Sequence, residues 1–320
     1  KVNKAQEKAI NLLKEMKDIC DANKIPFFLI GSYALRAFRS GSFESDACNL
    51  EVGMLYKDVI KFKNAVSRID DERRCLESLY TNPQLKSHYF RYVDKETLYF
   101  PLKNNINIKE FGISINIIPF YSTKCEKKMS LEKLIYYSWI RNHTKGTKNN
   151  NLKNKIKRKS IKMLGRLVHD NSPNKMLKAL EKLEENASVE DPLYYRKHIT
   201  FKIIKMPKGI FKSFKKVEFE GVECNIAGEI ESYLSKVIGK DWNERRYTTK
   251  EITQAVVCNS EISYKDYFNH LKEQNLNYNY LPLAKKVERA RKKVKIYNKT
   301  IKDAWEQVSL SYDRVSRYDI

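Results

Sequence analysis

Apolar positions change period several times along the chain, and each change marks an element. Ala9, Leu12, Leu13, Met16, Ile19 and Cys20 fall three and four apart, which draws one stripe down a helix over 4–22. The unbroken apolar run 25–30 reads as a buried strand. It ends in Gly31-Ser32, and a short helical pattern carrying Leu35, Arg36 and Arg39 follows. Asn49-Leu50-Glu51-Val52 alternates with period two, so positions 49 and 51 share one face of a second strand. Val59, Ile60, Phe62, Ala65 and Val66 give helical spacing over 56–69, and 73–82 reads as its helical continuation. Ser87 to Phe100 alternates as a strand and turn, and Phe111 to Phe120 is a β-branched strand that Pro119 is expected to stop. Helical spacing returns at Leu131, Leu134, Ile135 and Trp139, over 164–168 and over 174–186. Val287, Ala290, Val294 and Ile296 mark one face of a basic helix over 285–302, ending at Trp305 and Val308. The pattern predicts an α+β protein. A mixed sheet built from 27–30, 49–53 and 113–117 is flanked by helices, and 251–320 forms a helical C-terminal extension.

Composition adds a partner class. At 320 residues and 42% hydrophobic, the chain has enough apolar surface for one large domain or two small ones. A formal charge of +23 points to a polyanion: nucleic acid, an anionic membrane face or a phosphate-rich polymer. Much of the excess is local, because Arg141 to Lys162 holds Lys145, Lys148, Lys153, Lys155, Lys157, Arg158, Lys159 and Lys162 without an acid. That run is either a solvated flexible loop around Asn149-Asn150-Asn151 or a contact for an anionic surface. Six scattered cysteines (20, 48, 75, 125, 224, 258) include no Cys-x-x-Cys and no zinc-spaced His, which predicts reduced, partly buried thiols in a cytoplasmic protein. No run reaches the roughly 20 apolar residues of a membrane span, and the first residues do not read as a signal peptide. Lys1 is not an initiator residue, so a preceding segment is expected.

The chemistry concentrates between Ile25 and Met54. A strand that ends in Gly31-Ser32 and opens into a helix offers free N–H groups and the positive end of a helix dipole, which together bind an anion. The same residues also fit an ordinary βαβ corner with Gly for its turn. Arg36 and Arg39 either reach a diphosphate held there or are solvated. His88 fits a core-edge histidine as well as a ligand.

The order of these parts resembles the LicD/fukutin family of phosphotransferases, a branch of the nucleotidyltransferase-fold superfamily. The head of that pattern is matched by Leu12-Leu13-Lys14-Glu15 to Cys20, Ile25-Pro26-Phe27, Gly31-Ser32, Leu35 to Arg39, and Glu51-Val52-Gly53-Met54. Arg91, Asp94 and Thr97 match a strand with a basic residue leading into Asp-x-x-Thr. Further on, Met206-Pro-Lys-Gly-Ile-Phe211, Val217-Glu-Phe-Glu-Gly221, Tyr233-Leu234 and Gly239-Lys-Asp-Trp242 match the distal signature. The resemblance covers residues from about 5 to 250, with a core of about 5–125 and a family-specific half of about 126–250. Two positions depart from it. Asn49 stands where the family has the first Asp of its acidic pair, Glu51 is the second acid, and Asn116 replaces the third.

The resemblance implies transfer of a phospho-alcohol, such as phosphocholine or ribitol phosphate, from a CDP-linked donor to a glycan or lipid-linked acceptor. It implies that Gly31 and Ser32 hold the donor phosphate, with Arg36, Arg39, Arg91 and Asp94 lining the substrate and Arg91 nearest the phosphate. Mg²⁺ or Mn²⁺ would be held weakly by Asn49, Glu51 and Asn116, since two of three expected carboxylates are amides. Glu51 or Asp46 would take the acceptor's proton. The fold it implies is a nucleotidyltransferase-like mixed sheet. The local charge excess adds an expected peripheral contact with an anionic membrane. Two other classes remain: a catalytically degenerate member that binds nucleotide or glycan and regulates a partner, and a nucleic-acid-directed nucleotidyltransferase, disfavoured because no RNA-binding signature accompanies the charge.

Overall fold

The computed structural model describes residues 2–43, 48–101, 107–122, 172–185, 193–197, 202–206, 210–244 and 255–273, with single positions between 136 and 167. In chain order the elements are α1 (Lys4–Ala22), β1 (Phe28–Leu29), α2 (Gly31–Arg39), β2 (Leu50–Leu55), α3 (Tyr56–Val66), β3 (Arg74–Glu77), β4 (Phe90–Asp94), β5 (Leu98–Pro101) and β6 (Ser114–Ser122). They continue with α4 (Pro173–Glu185), β7 (Leu193–Lys197), β8 (Lys202–Lys205), β9 (Phe214–Phe219), β10 (Val222–Ala227), α5 (Ile230–Val237), β11 (Ala255–Asn259) and α6 (Tyr264–Glu273). The protein is mixed α+β. A seven-stranded sheet runs β1-β2-β6-β4-β3, with β7 paired to the far end of β6 and β8 to β7. Only β2 and β6 are parallel; the other pairings in this sheet are antiparallel.

The pleat gives the sheet two unlike faces. Leu50, Val52, Met54, Ile115 and Ile117 are buried on one face under α1 and α3. There Tyr56 of α3 stacks on Tyr121 at 5.1 Å, and Phe62 meets Tyr92 edge-on at 5.6 Å. α1 starts on a reciprocal cap: Asn3 Oδ1 accepts from Gln6 N–H at 2.9 Å while Gln6 Oε1 accepts from Asn3 N–H at 3.0 Å. The opposite face carries Glu51, Gly53, Asn116 and Phe120. A Cβ on Gly53 would lie 2.5 Å from Phe28, 2.7 Å from Phe120 and 2.8 Å from Ile30, so glycine is what lets these side chains close over the sheet. Phe28 also stacks on Phe211 at 4.3 Å.

The β9–β10 hairpin turns on Glu220 (φ 49) and Gly221 (φ 75), the two positive φ angles that suit a two-residue turn. Glu220 Oε1 accepts from Phe43 N–H, its own N–H donates to Gly41 O, and Phe219 is fully buried. The Phe-Glu-Gly segment therefore locks the hairpin to the end of α2.

Three expectations are corrected. Residues 74–77 are a strand where a helix was expected, because pairing with β4 sets Arg74 opposite Asp94 and Glu77 opposite Arg91, and those contacts override local helical spacing. β6 passes through Pro119 to Ser122. The proline is tolerated because β6 changes antiparallel partner there, from β4 (last pair Phe90 with Ile117) to β7 (first pair Phe120 with Tyr195). Residues 255–259, expected within a helical extension, form β11 and pair with β5. The expected helix over 285–302, most of that around 129–139 and most of the basic run lie outside the described residues. Among the described residues no helix is long and apolar enough to cross a membrane.

Candidate functional site

The parallel register of β2 and β6 sets Glu51 beside Asn116. The antiparallel register of β6 with β4 sets Asn116 beside Arg91, and that of β4 with β3 sets Arg91 beside Glu77. Residues aligned across a pleated sheet share a face, with neighbouring strands about 4.8 Å apart. Glu51, Asn116, Arg91 and Glu77 therefore form one polar row across four strands, on the face away from α1 and α3. This brings together two of the expected metal-facing residues and the expected phosphate-facing arginine.

At the edge of the row, β1 pairs with β2 and delivers the chain into α2 at Gly31. Gly31 has φ +55, a conformation L side chains rarely adopt, and the position of its missing Cβ faces open space. The first turn of α2 leaves N–H groups without intrahelical acceptors. The amide of Gly31 donates to the Tyr233 hydroxyl of α5 at 3.0 Å. Burial pushes the Tyr233 hydroxyl above its usual range; the Gly31 N–H works against that shift and the charge of Glu51 adds to it. Tyr89 is likewise pushed up by burial, with Arg91 opposing and Glu51 adding. Glu51 thus faces two buried phenols that stay protonated at neutral pH.

Arg91 is committed to its neighbours. Its Nη1 donates to Glu77 Oε2 at 2.5 Å and to the Glu110 carbonyl at 2.8 Å, and its Nη2 donates to Ser114 Oγ at 3.1 Å. Glu77 also accepts from Asn82 Nδ2 at 2.9 Å and from Lys109 N–H at 2.7 Å. Both members of the ion pair are buried.

The other expected residues are spread out. Asn49 immediately precedes β2; its carbonyl accepts from the Tyr33 hydroxyl, and its Oδ1 is buried without a hydrogen-bond partner among the described residues. Ser32 is the second residue of α2, at the candidate anion site. Arg36 is wholly buried, its guanidinium carbon 5.3 Å from the Tyr33 ring centre. Arg39, at the far end of α2, donates from Nη2 to the carbonyls of Trp242 and Asn243, both at 2.5 Å, and so ties the helix to the Gly239–Trp242 segment. Asp94 lies on the face opposite Arg91, where its carboxylate accepts from Arg74 Nη1 at 2.9 Å and Glu96 N–H at 3.0 Å. Thr97 Oγ1 donates to the Asp94 carbonyl and accepts from Ile113 N–H, both at 2.9 Å, so Asp-x-x-Thr is here a turn that fixes β4 against the entry to β6. His88 is buried with its ring 6.3 Å from Tyr121. Asp46 lies outside the described residues.

Sequence reasoning gave no role to Tyr233, Tyr89 or Glu77. Glu77 was hidden by helical spacing, and the two tyrosines enter the site only through long-range packing. Among the described residues no group of three His, Cys, Asp or Glu side chains could hold a metal ion. Asn49 Oδ1, a buried acceptor without a hydrogen-bond partner among the described residues, and Glu51 and Asn116, aligned across β2 and β6, are the oxygen ligands these positions offer to a hard cation. No protein-family model matches the chain, and no curated protein matches it.

Proposed function

We propose that the chain is a phosphotransferase of the LicD type on a nucleotidyltransferase-like sheet, moving a phospho-alcohol from a CDP-linked donor to a hydroxyl of a cell-surface glycan. The observation that carries this reading is the register that sets Glu51 beside Asn116, next to the strand that opens into α2 at Gly31. In such a displacement the acceptor oxygen bonds to phosphorus as CMP leaves, and the protein contributes positioning and charge. Ser32 and Gly31 in the first turn of α2 would bind the diphosphate, Gly31 once the Tyr233 hydroxyl turns aside. Glu51 would take the acceptor's proton. Asn49, Glu51 and Asn116 would hold Mg²⁺ or Mn²⁺ that arrives with the donor. The ion's contribution is neutralisation of diphosphate charge.

A second reading has its own support: Gly31 already donates to Tyr233 and Arg91 is held by Glu77, which suits a protein that binds nucleotide without turning it over. Melting curves with CDP-choline, CDP-ribitol and nucleoside triphosphates, with and without Mg²⁺, followed by an assay for CMP release, separate the two. Mg²⁺-dependent stabilisation by a CDP-alcohol together with CMP release is the expected result. Stabilisation without release favours the binder, and no stabilisation by any nucleotide contradicts both.

A further inference from the structure

The segment entering β2 and the strand β11 meet through two sulfurs. Cys48 Sγ and Cys258 Sγ lie 3.7 Å apart although the residues are 210 positions apart in sequence, and neither is in a disulfide. They sit at a surface depression of about 370 Å³ bordered by Asn3, Lys4, Asn259 and Glu261, which gives a small solute a path to both sulfurs. We infer that Cys48 and Cys258 are an oxidisable dithiol site whose reactant is a hydroperoxide and whose product is a Cys48–Cys258 disulfide.

The geometry assigns the order of events. Cys258 is the more exposed of the two and Cys48 is buried. The peroxide is reduced at Cys258: its S–H and ROOH give the sulfenic acid S–OH and ROH. Cys48 S–H then condenses with that S–OH, forming the S–S bond and releasing water. Two electrons and two protons leave the thiols, and the O–O bond takes them. The resulting bridge ties the chain just before Asn49 to β11, whose Cys258 pairs with Tyr99 of β5. Burial pushes the Cys20, Cys75 and Cys224 thiols up to about 12, where little thiolate exists at neutral pH, and the first sulfur to react in this pair is the more exposed Cys258.

The test is equimolar hydrogen peroxide on the full chain, followed by alkylation of remaining thiols and peptide mapping. The expected result is loss of two hydrogens, one peptide pair joined through Cys48 and Cys258, reversal by dithiothreitol, and a higher melting temperature for the oxidised form because the closed loop is long. Cys48→Ser should stop at a sulfenic acid on Cys258 that dimedone traps. A map that joins any other cysteines, or one that finds both Cys48 and Cys258 alkylated after peroxide has been consumed, overturns the inference. That readout comes from the unmodified chain and does not depend on a variant folding.

Discussion

Two glycines show how differently the same residue type is used. Gly31 needs its positive φ but has open space at Cβ, whereas Gly53 has an ordinary backbone and three side chains within 2.8 Å of where a Cβ would stand. Gly31→Ala should therefore cost about 1–2 kcal/mol, the strain of a left-handed residue. Gly53→Ala should cost near the top of the 1–3 kcal/mol typical of overpacking. Denaturant midpoints measure both, and a neutral Gly53→Ala would show that the Phe28, Phe120 and Ile30 packing gives way easily. Three thiols shielded from water set a pH limit at the same scale. Cys20, Cys75 and Cys224 are pushed from the ordinary 9.0 up to about 12 by burial. Below about pH 9 both folded and unfolded states keep these protons, so nothing changes. Between 9 and 12 the unfolded state loses them first, and stability falls with rising pH. Each thiol contributes a slope of about 1.4 kcal/mol per pH unit, so Cys20→Ala should flatten the alkaline fall by about that much in urea titrations at stepped pH. An unchanged slope would contradict the burial assigned to Cys20.

At the scale of elements, α1, α3 and α4 were legible because each buries one stripe of a solvated surface, and that leaves its period in the sequence. α2 buries five consecutive residues, 33–37, and was legible from the Gly31-Ser32 turn that opens it. β2 and β6 were legible from the period-two alternation of their side chains. What was not legible came from pairing. Nothing local in Arg74–Glu77 announces a strand, and nothing around Pro119 shows that β6 trades partners there. The candidate site divides along the same line: Glu51, Asn116 and Gly31 could be read from strand order, while the commitment of Arg91 to Glu77 and the approach of Tyr233 to Gly31 depend on which side chains meet across long sequence distances. The β3–β4 pairing gives a prediction of its own. Glu77→Gln would leave the Arg91 guanidinium buried without its carboxylate, a loss of about 3–5 kcal/mol. Glu77→Gln combined with Arg91→Met should recover part of it. A double-mutant cycle in urea reads the coupling, and a single-variant loss below about 1 kcal/mol would place the pair in solvent.

For the molecule as a whole, the sheet is a division of labour: one face is an apolar seat for α1 and α3, and the other carries a polar row that begins at Glu51 and ends in a buried ion pair. Under the proposed function, Glu51 at one end of this row, with Asn116 beside it and Asn49 just ahead of β2, is what remains of a metal-dependent phosphoryl-transfer site, with one carboxylate where three are expected. A site with a single formal negative charge binds a hard cation weakly, and carboxylate number is the main lever on its affinity. The most direct measurement is calorimetric titration of Mg²⁺ and Mn²⁺ into the unmodified chain and into the Asn49→Asp, Asn116→Asp double variant. Feeble binding by the former and a gain of tenfold or more in the latter, about 1.4 kcal/mol or more, is the predicted result. Tight binding by the unmodified chain, or no gain in a folded double variant, would contradict it.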